Sequence, residues 1–168
     1  AAKTTDILAG NTYVTNELKL ETGSAVSHSL NITLASTTLT GTGALFTMNA
    51  NTALNLGDIT LATAINFPST FSTYAFDGTS TVNYNTNGAQ TISSIPTYQN
   101  LNITTGTTTA TKTLDGNTTV SNALTIANGV GTATLSLGTN TLNIAGTISG
   151  TGTLLCPTNS TVNYNSAS

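Results

Sequence analysis

The side chains able to do acid–base or nucleophilic chemistry are few and far apart. The chain holds one histidine, His28, in Ser27-His28-Ser29, one cysteine, Cys156, and six acids: Asp6, Glu17, Glu21, Asp58, Asp77 and Asp115. Catalysis needs such groups to converge, as a nucleophile beside a base or two carboxylates flanking one bond. Nothing in the spacing brings a nucleophile to a base. His28 reads as a solvated surface residue, and the chain as one that is not an enzyme. A calcium loop requires clustered acids, and an internal disulfide or Cys-based zinc site requires more than one cysteine, so no metal or cofactor is expected. Cys156 reads as a small buried thiol, the usual place for a free cysteine.

Amides and hydroxyls offer other chemistry. Four glycosylation sequons occur, Asn31-Ile32-Thr33, Asn102-Ile103-Thr104, Asn117-Thr118-Thr119 and Asn159-Ser160-Thr161. In a chain with 40 Thr and 20 Asn such triplets also arise by chance, and the compartment decides whether they carry sugar. Threonines at alternate positions, as in Thr107-Thr108-Thr109, Thr111-Lys112-Thr113 and Thr118-Thr119, would form a hydroxyl and methyl array on a flat face. That array resembles ice-binding solenoids, although Asn stands between the apolar residues more often than Thr.

Composition narrows the partners. Only 5% of residues are charged, against about 25% in ordinary globular chains. The formal net charge is -3 and the only cations are Lys3, Lys19 and Lys112, too few to hold a phosphate backbone, so nucleic acid is not an expected partner. No run of 18 apolar residues could span a membrane as a helix. The start carries no charged and apolar signal segments; for an exported protein the signal has already been removed. Disordered chains combine low hydrophobicity with high charge, whereas this one is 38% hydrophobic and can bury a core.

The elements that would position these groups are strands, because apolar residues alternate with polar ones and do not recur at three and four. The clearest are triplets with an apolar residue on each side of a polar one: Leu18-Lys19-Leu20, Ile32-Thr33-Leu34, Leu54-Asn55-Leu56, Val82-Asn83-Tyr84, Leu101-Asn102-Ile103, Leu124-Thr125-Ile126, Leu142-Asn143-Ile144 and Val162-Asn163-Tyr164. Alternate side chains of a strand share a face, so each triplet points two apolar residues inward. Leu124, Ile126, Leu142 and Ile144 are candidate core. Successive triplets start about 21 residues apart on average, the length of one coil of a parallel β-solenoid. Gly, Asn and Thr fill the corners, as in Asn87-Gly88, Asn128-Gly129 and Gly150-Thr151-Gly152, where a left-handed backbone is tolerated. The expected fold is all-β, a parallel β-helix of about eight rungs of 18–23 residues.

Internal repeats support the coil. Residues 114–126 match residues 8–20 at seven of thirteen positions, and Ser80-Thr81-Val82-Asn83-Tyr84-Asn85 recurs unchanged as Ser160-Thr161-Val162-Asn163-Tyr164-Asn165. The chain reads as one solenoid domain over 1–168, with repeat copies at about 7–56 and 113–165, and possible membership of a longer array. Residues 57–78 break the rhythm and hold Phe67, Pro68, Phe71, Tyr74 and Phe76. They read as an aromatic insertion, an enlarged loop or extra strand laid on the rod; its rings either pack on the rod or form a ligand or partner surface.

Leu142-Asn143-Ile144-Ala145-Gly146-Thr147-Ile148-Ser149-Gly150-Thr151-Gly152-Thr153-Leu154 resembles the passenger repeats of autotransporter-like proteins, and residues 80–104 resemble Thr/Asn-rich repeats of large bacterial surface adhesins. The resemblance implies a β-solenoid in the secreted surface class, extracellular or on the cell surface. Open solenoid ends offer unpaired backbone groups, and solenoids usually cap them; no capping helix is legible. Either the coil continues in a larger array or other copies cover its ends, with Thr4, Thr5, Leu8, Val162 and Tyr164 as the contacts of a head-to-tail homopolymer. The expected function is a filament or adhesin stalk built end to end. The alternatives are an adhesin module binding cell-surface or glycan ligands and, behind it, ice binding.

Overall fold

The computed structural model describes residues 3–7, 12–22, 27–33 and 38–165, and all its regular elements are strands. They are β1 (Lys3–Ile7), β2 (Thr12–Leu20), β3 (His28–Ile32), β4 (Thr38–Met48), β5 (Thr52–Leu56) and β6 (Thr73–Phe76). Then come β7 (Thr81–Tyr84), β8 (Gln90–Ile92), β9 (Thr97–Thr104), β10 (Ala110–Leu114) and β11 (Thr118–Ala127). The last are β12 (Ala133–Ser136), β13 (Thr141–Ile144), β14 (Thr147–Ser149), β15 (Thr153–Leu155) and β16 (Thr161–Tyr164). Every strand pairing among them is parallel. The chain is a parallel β-solenoid.

One register column runs its whole length: Thr4, Ser29, Ala53, Thr81, Asn100, Ala123 and Thr147, each paired with the next. Its six steps span 143 residues (147 − 4), about 24 per turn. The coil therefore makes about six turns, fewer and longer than the eight rungs of 18–23 residues expected. At about 4.8 Å per turn that is a rod about 30 Å long. Counting triplets overcounted turns because Leu124-Thr125-Ile126 and Leu142-Asn143-Ile144 lie on different faces of one turn. The second triplet was also out of phase: Leu30-Asn31-Ile32, and not Ile32-Thr33-Leu34, aligns with Leu54-Asn55-Leu56.

The pairings define three faces. The first stacks β1, β3, β5, β7, residues 100–104 of β9, residues 123–127 of β11, and β14. The second stacks β8, β10, β12 and β15. The third carries Thr97 and Tyr98 of β9, then residues 118–120 of β11, β13 and β16. At the N-terminal end β2 and β4 bend from the second face onto the third, where β6 continues residues 45–48 of β4. The register breaks between Thr15 and Glu17, and between Val120 and Ala123, mark the corners. These bends explain the sequence repeat. Both copies, β2 and β11, are corner-turning strands with an Asn at the bend, yet β2 turns from the second face to the third and β11 from the third to the first. The repeating unit is a corner, not a turn.

Inside the first face, Leu30, Leu54, Val82, Leu101 and Leu124 form one buried column and Ile32, Leu56, Tyr84, Ile103 and Ile126 another. Outside, between them, runs an amide ladder. Asn55 Nδ2 donates to Asn31 Oδ1 (2.6 Å), Asn83 to Asn55 (2.6 Å) and Asn102 to Asn83 (2.8 Å), before Thr125 and Ser149 take over at 3.2 Å. Identical residues one turn apart satisfy each other along the axis, so a surface almost without charge remains hydrogen-bonded.

The aromatic insertion is an enlarged loop built into the coil, not an extra strand laid on the rod. Residues 57–72 occupy the second face of the third turn without strand structure, and the strand that follows, β6, belongs to the coil. Gly41 N donates to Thr70 Oγ1 (2.7 Å) on one side; on the other, Leu61 O and Ile65 O accept from Asn87 N (2.7 Å) and Gln90 Nε2 (2.8 Å). Phe46, fully buried, meets Phe67, Phe71, Tyr74 and Phe76 at ring separations of 5.4–6.2 Å. Phe67 and Phe71 are buried in the core, and Tyr74 and Phe76 pack partly buried against it, as the packing alternative had it.

Two polar side chains inside the core bond backbone carbonyls beside the irregular segment and in the turn that follows β7. Gln90 Nε2 donates to Leu56 O (3.0 Å) as well as Ile65 O. Directly in register beneath it, Lys112, fully buried, donates to Thr86 O (2.6 Å) and Gly88 O. Burial pushes the Lys112 ammonium down to about 8 from its ordinary 10.5. Burial also pushes the hydroxyls of Tyr84 and Tyr98, bonded to each other at 2.8 Å, upward.

These shifts dictate an alkaline profile. Between about pH 8 and pH 10.5 the unfolded chain keeps a proton on Lys112 that the folded chain has released, so folding gains stability as pH rises. Above about pH 10 the unfolded chain loses tyrosine protons that the folded chain keeps, and stability falls. The melting temperature is expected to climb from pH 8 towards pH 10 and drop beyond it, and Lys112→Met to remove the climb. A wild-type melting temperature that falls steadily from pH 8 would contradict a buried ammonium at Lys112.

Candidate self-association surface

The last described turn presents an open edge. β14 pairs only with β11, β15 only with β12 and β16 only with β13, so one side of each strand has no ladder partner among the described residues. The phase of the bonds shows which groups face outward. Thr161 N donates to Asn140 O (3.2 Å) and Asn165 N to Ile144 O (2.8 Å), so odd-numbered residues of β16 bond to β13. The N–H and C=O of Val162 and Tyr164 therefore point to the free edge, because successive residues of a strand alternate their backbone groups. On β15, Leu155 O accepts from Leu137 N (3.1 Å), which turns the Leu154 backbone outward.

Apolar side chains cluster on the same turn. Ile148, Leu155 and Tyr164 are 44%, 47% and 52% exposed, while Leu154 and Val162 are partly buried against the core. From Leu30 to Leu124 the first-face residues in the Ile148 column are buried; at Ile148 nothing described covers them. Cys156, expected to be buried, is exposed, because it follows directly on β15, the last described strand of the second face.

At the opposite end β1 and β2 pair only with β3 and β4. Asn49 N donates to Leu20 O (2.9 Å), so Leu18 and Leu20 bond to β4 and the backbone groups of Lys19 between them point away from it. Of the residues expected at this end, Thr4 and Thr5 lie in β1, paired to Ser29 and Leu30; Leu8 lies outside the described residues. Val162 and Tyr164 stand at the other open edge. Ile148, Leu154 and Leu155 were missed there, although the Leu154-Leu155 pair following Gly150-Thr151-Gly152 marks an apolar strand.

The remaining candidates scatter. Asn31 and Asn102 sit in the amide ladder. Asn117 is exposed and its Oδ1 accepts from Thr141 N (2.8 Å); Asn159 is exposed in a left-handed turn at φ 70°. Thr111, Thr134 and Thr153 form one column on the second face and Thr91 and Thr113 another, which Ser136 and Leu155 then continue. Thr118 is buried. A ring nitrogen of His28 lies 3.0 Å from Glu21 O, and no three potential metal ligands converge among the described residues. No helix is long and apolar enough to cross a membrane.

The fold and its edges define a three-faced parallel β-solenoid with unpartnered strands at both described ends. No family model, curated protein or solved structure matches the chain.

Proposed function

We propose that this is a secreted structural protein, extracellular or on the cell surface, whose solenoid units join end to end into a filament or adhesin stalk. The observation that carries this reading is the last described turn, where unpaired backbone groups on β15 and β16 coincide with exposed Ile148, Leu155 and Tyr164. Edge strands of this kind are pairing templates that proteins otherwise blunt with charge, proline or a cover, and residues 147–165 contain no charged side chain. Electron microscopy and sedimentation of the purified protein test it. Threads of uniform width are expected; monodisperse short rods at all concentrations would reject it.

A second reading, a module that binds cell-surface or glycan ligands, draws on a cavity of about 240 Å³ between the insertion and β4. Thr40, Asn66, Ser69 and Thr70 line it beside Phe67, hydroxyls and an amide next to a ring, a lining suited to a sugar. Ice binding stands further back, since the threonine columns of the second face are short and one of them runs on into Ser136 and Leu155.

Under the same reading, a host that glycosylates surface proteins should modify Asn117 and Asn159 and leave Asn31 and Asn102 bare. Asn117 and Asn159 are exposed residues outside the strands, whereas Asn102 Nδ2 is engaged by Asn83 and Asn31 is flanked by the ladder. Peptide mapping by mass spectrometry checks this; sugar on Asn102 would mean that the ladder opens in solution.

A further inference from the structure

We infer the register of the joint: β16 of one copy receives residues 17–20 of the next, with Thr161 opposite Glu17, Val162 opposite Leu18, Asn163 opposite Lys19 and Tyr164 opposite Leu20. This inference rests on the end-to-end reading and names its partner, a second copy of this chain in head-to-tail orientation.

Three independent features select that pairing. The first is the face. Residues 17–20 of β2 and the strand β16 both lie on the third face, between the second and first faces in chain order, so stacking two copies along a common axis brings them together. Only a head-to-tail copy presents parallel strands on all three faces at once, and all ladders within the molecule are parallel.

The second is the side-chain phase. Along the third face the inward positions are Leu142 and Ile144 over Val162 and Tyr164 at one end, and Leu18 and Leu20 over Phe46 and Met48 at the other. Leu20, Phe46, Met48, Leu142 and Ile144 are buried. The proposed register continues both columns across the joint, laying Leu18 and Leu20 on the partly buried Val162 and the exposed Tyr164. A slip of one residue would turn Lys19 into the core.

The third is the hydrogen-bond phase. At the C-terminal edge the outward backbone groups belong to Val162 and Tyr164; at the N-terminal edge Lys19 turns its backbone groups away from β4. In a parallel ladder each residue that bonds across lies opposite one that does not, so Lys19 N–H reaches Val162 O and Tyr164 N–H reaches Lys19 O only when Lys19 stands opposite Asn163. Charge agrees: the receiving turn carries none, so Glu17 and Lys19 meet hydroxyls and amides and no like charge.

Disulfide trapping tests the register. Asn163 and Lys19 are exposed, and Cα atoms of neighbouring strands stand about 5 Å apart, within disulfide reach. In a Cys156→Ser background, the variant carrying Asn163→Cys with Lys19→Cys is expected to oxidise into a ladder of covalent multimers, while either single substitution stops at dimers. The comparison pairs Asn163→Cys with Glu17→Cys and with Glu21→Cys, each displaced by two residues, should link at least tenfold more slowly. Threads seen by microscopy together with faster linking in a displaced pair would overturn the register and leave the end-to-end reading standing. Threads with no linking in any pair would overturn the register by placing the contact elsewhere than this edge. Monomers by sedimentation would overturn both.

Discussion

Val162→Pro is expected to abolish end-to-end association while the solenoid stays folded. Val162 N–H points away from β13, the bonds to β13 being made by residues 161, 163 and 165, so proline removes no internal ladder bond. It removes a donor from the open edge and sets a ring where the next strand must approach, which is the device by which natural edges are blunted. One bond is worth about 0.5–1.5 kcal/mol net, and the ring also holds off its neighbours. The critical concentration for polymerisation should rise roughly tenfold or more, since each 1.4 kcal/mol is a factor of about ten. Light scattering reads the polymer and circular dichroism the fold. Unchanged polymerisation by a folded variant would move the contact from the ends to the lateral faces.

Leu142→Ala should be the most destabilising of the simple substitutions in the C-terminal half. Leu142 is fully buried in register between Thr118 and Val162, and removing a buried Leu costs about 2–5 kcal/mol from a total of about 5–15. Its neighbour Asn143 faces outward and accepts at 2.9 Å from Asn163 Nδ2, so Asn143→Ser should cost only about 0.5–1.5 kcal/mol. Urea unfolding of both variants separates the two faces of one strand. Similar midpoints would mean that the inward and outward assignments of the third face are wrong.

What the chain states locally is strand, face and corner. Period-two alternation in Leu54-Asn55-Leu56 or Leu101-Asn102-Ile103 determines which side chains go inward whatever the strand pairs with, because the pleat alone sends neighbours to opposite sides. Recurrence at coil length, with Gly and Asn between, points to a parallel coil, and the paucity of charge follows from composition. Those readings needed no partner to be known.

Which strand stacks on which depends on contacts between residues about 24 apart, and no local pattern encodes them. The count of turns therefore came out wrong. Leu124-Thr125-Ile126 and Leu142-Asn143-Ile144 look alike because each faces the same core, and only the pairing of Ala123 to Thr147 shows that they share one turn. The repeat at β2 and β11 misled in the same way, since a corner-turning strand suits any of three corners. Alternation with buried Ala110 and Leu114 points Lys112 inward, but only the tertiary structure shows what receives its ammonium there, Thr86 O and Gly88 O, twenty-odd residues earlier. The exposure of Cys156 was likewise decided by the tertiary structure. Burial in a solenoid is conferred by the next rung, and a residue type carries no information about whether that rung is present.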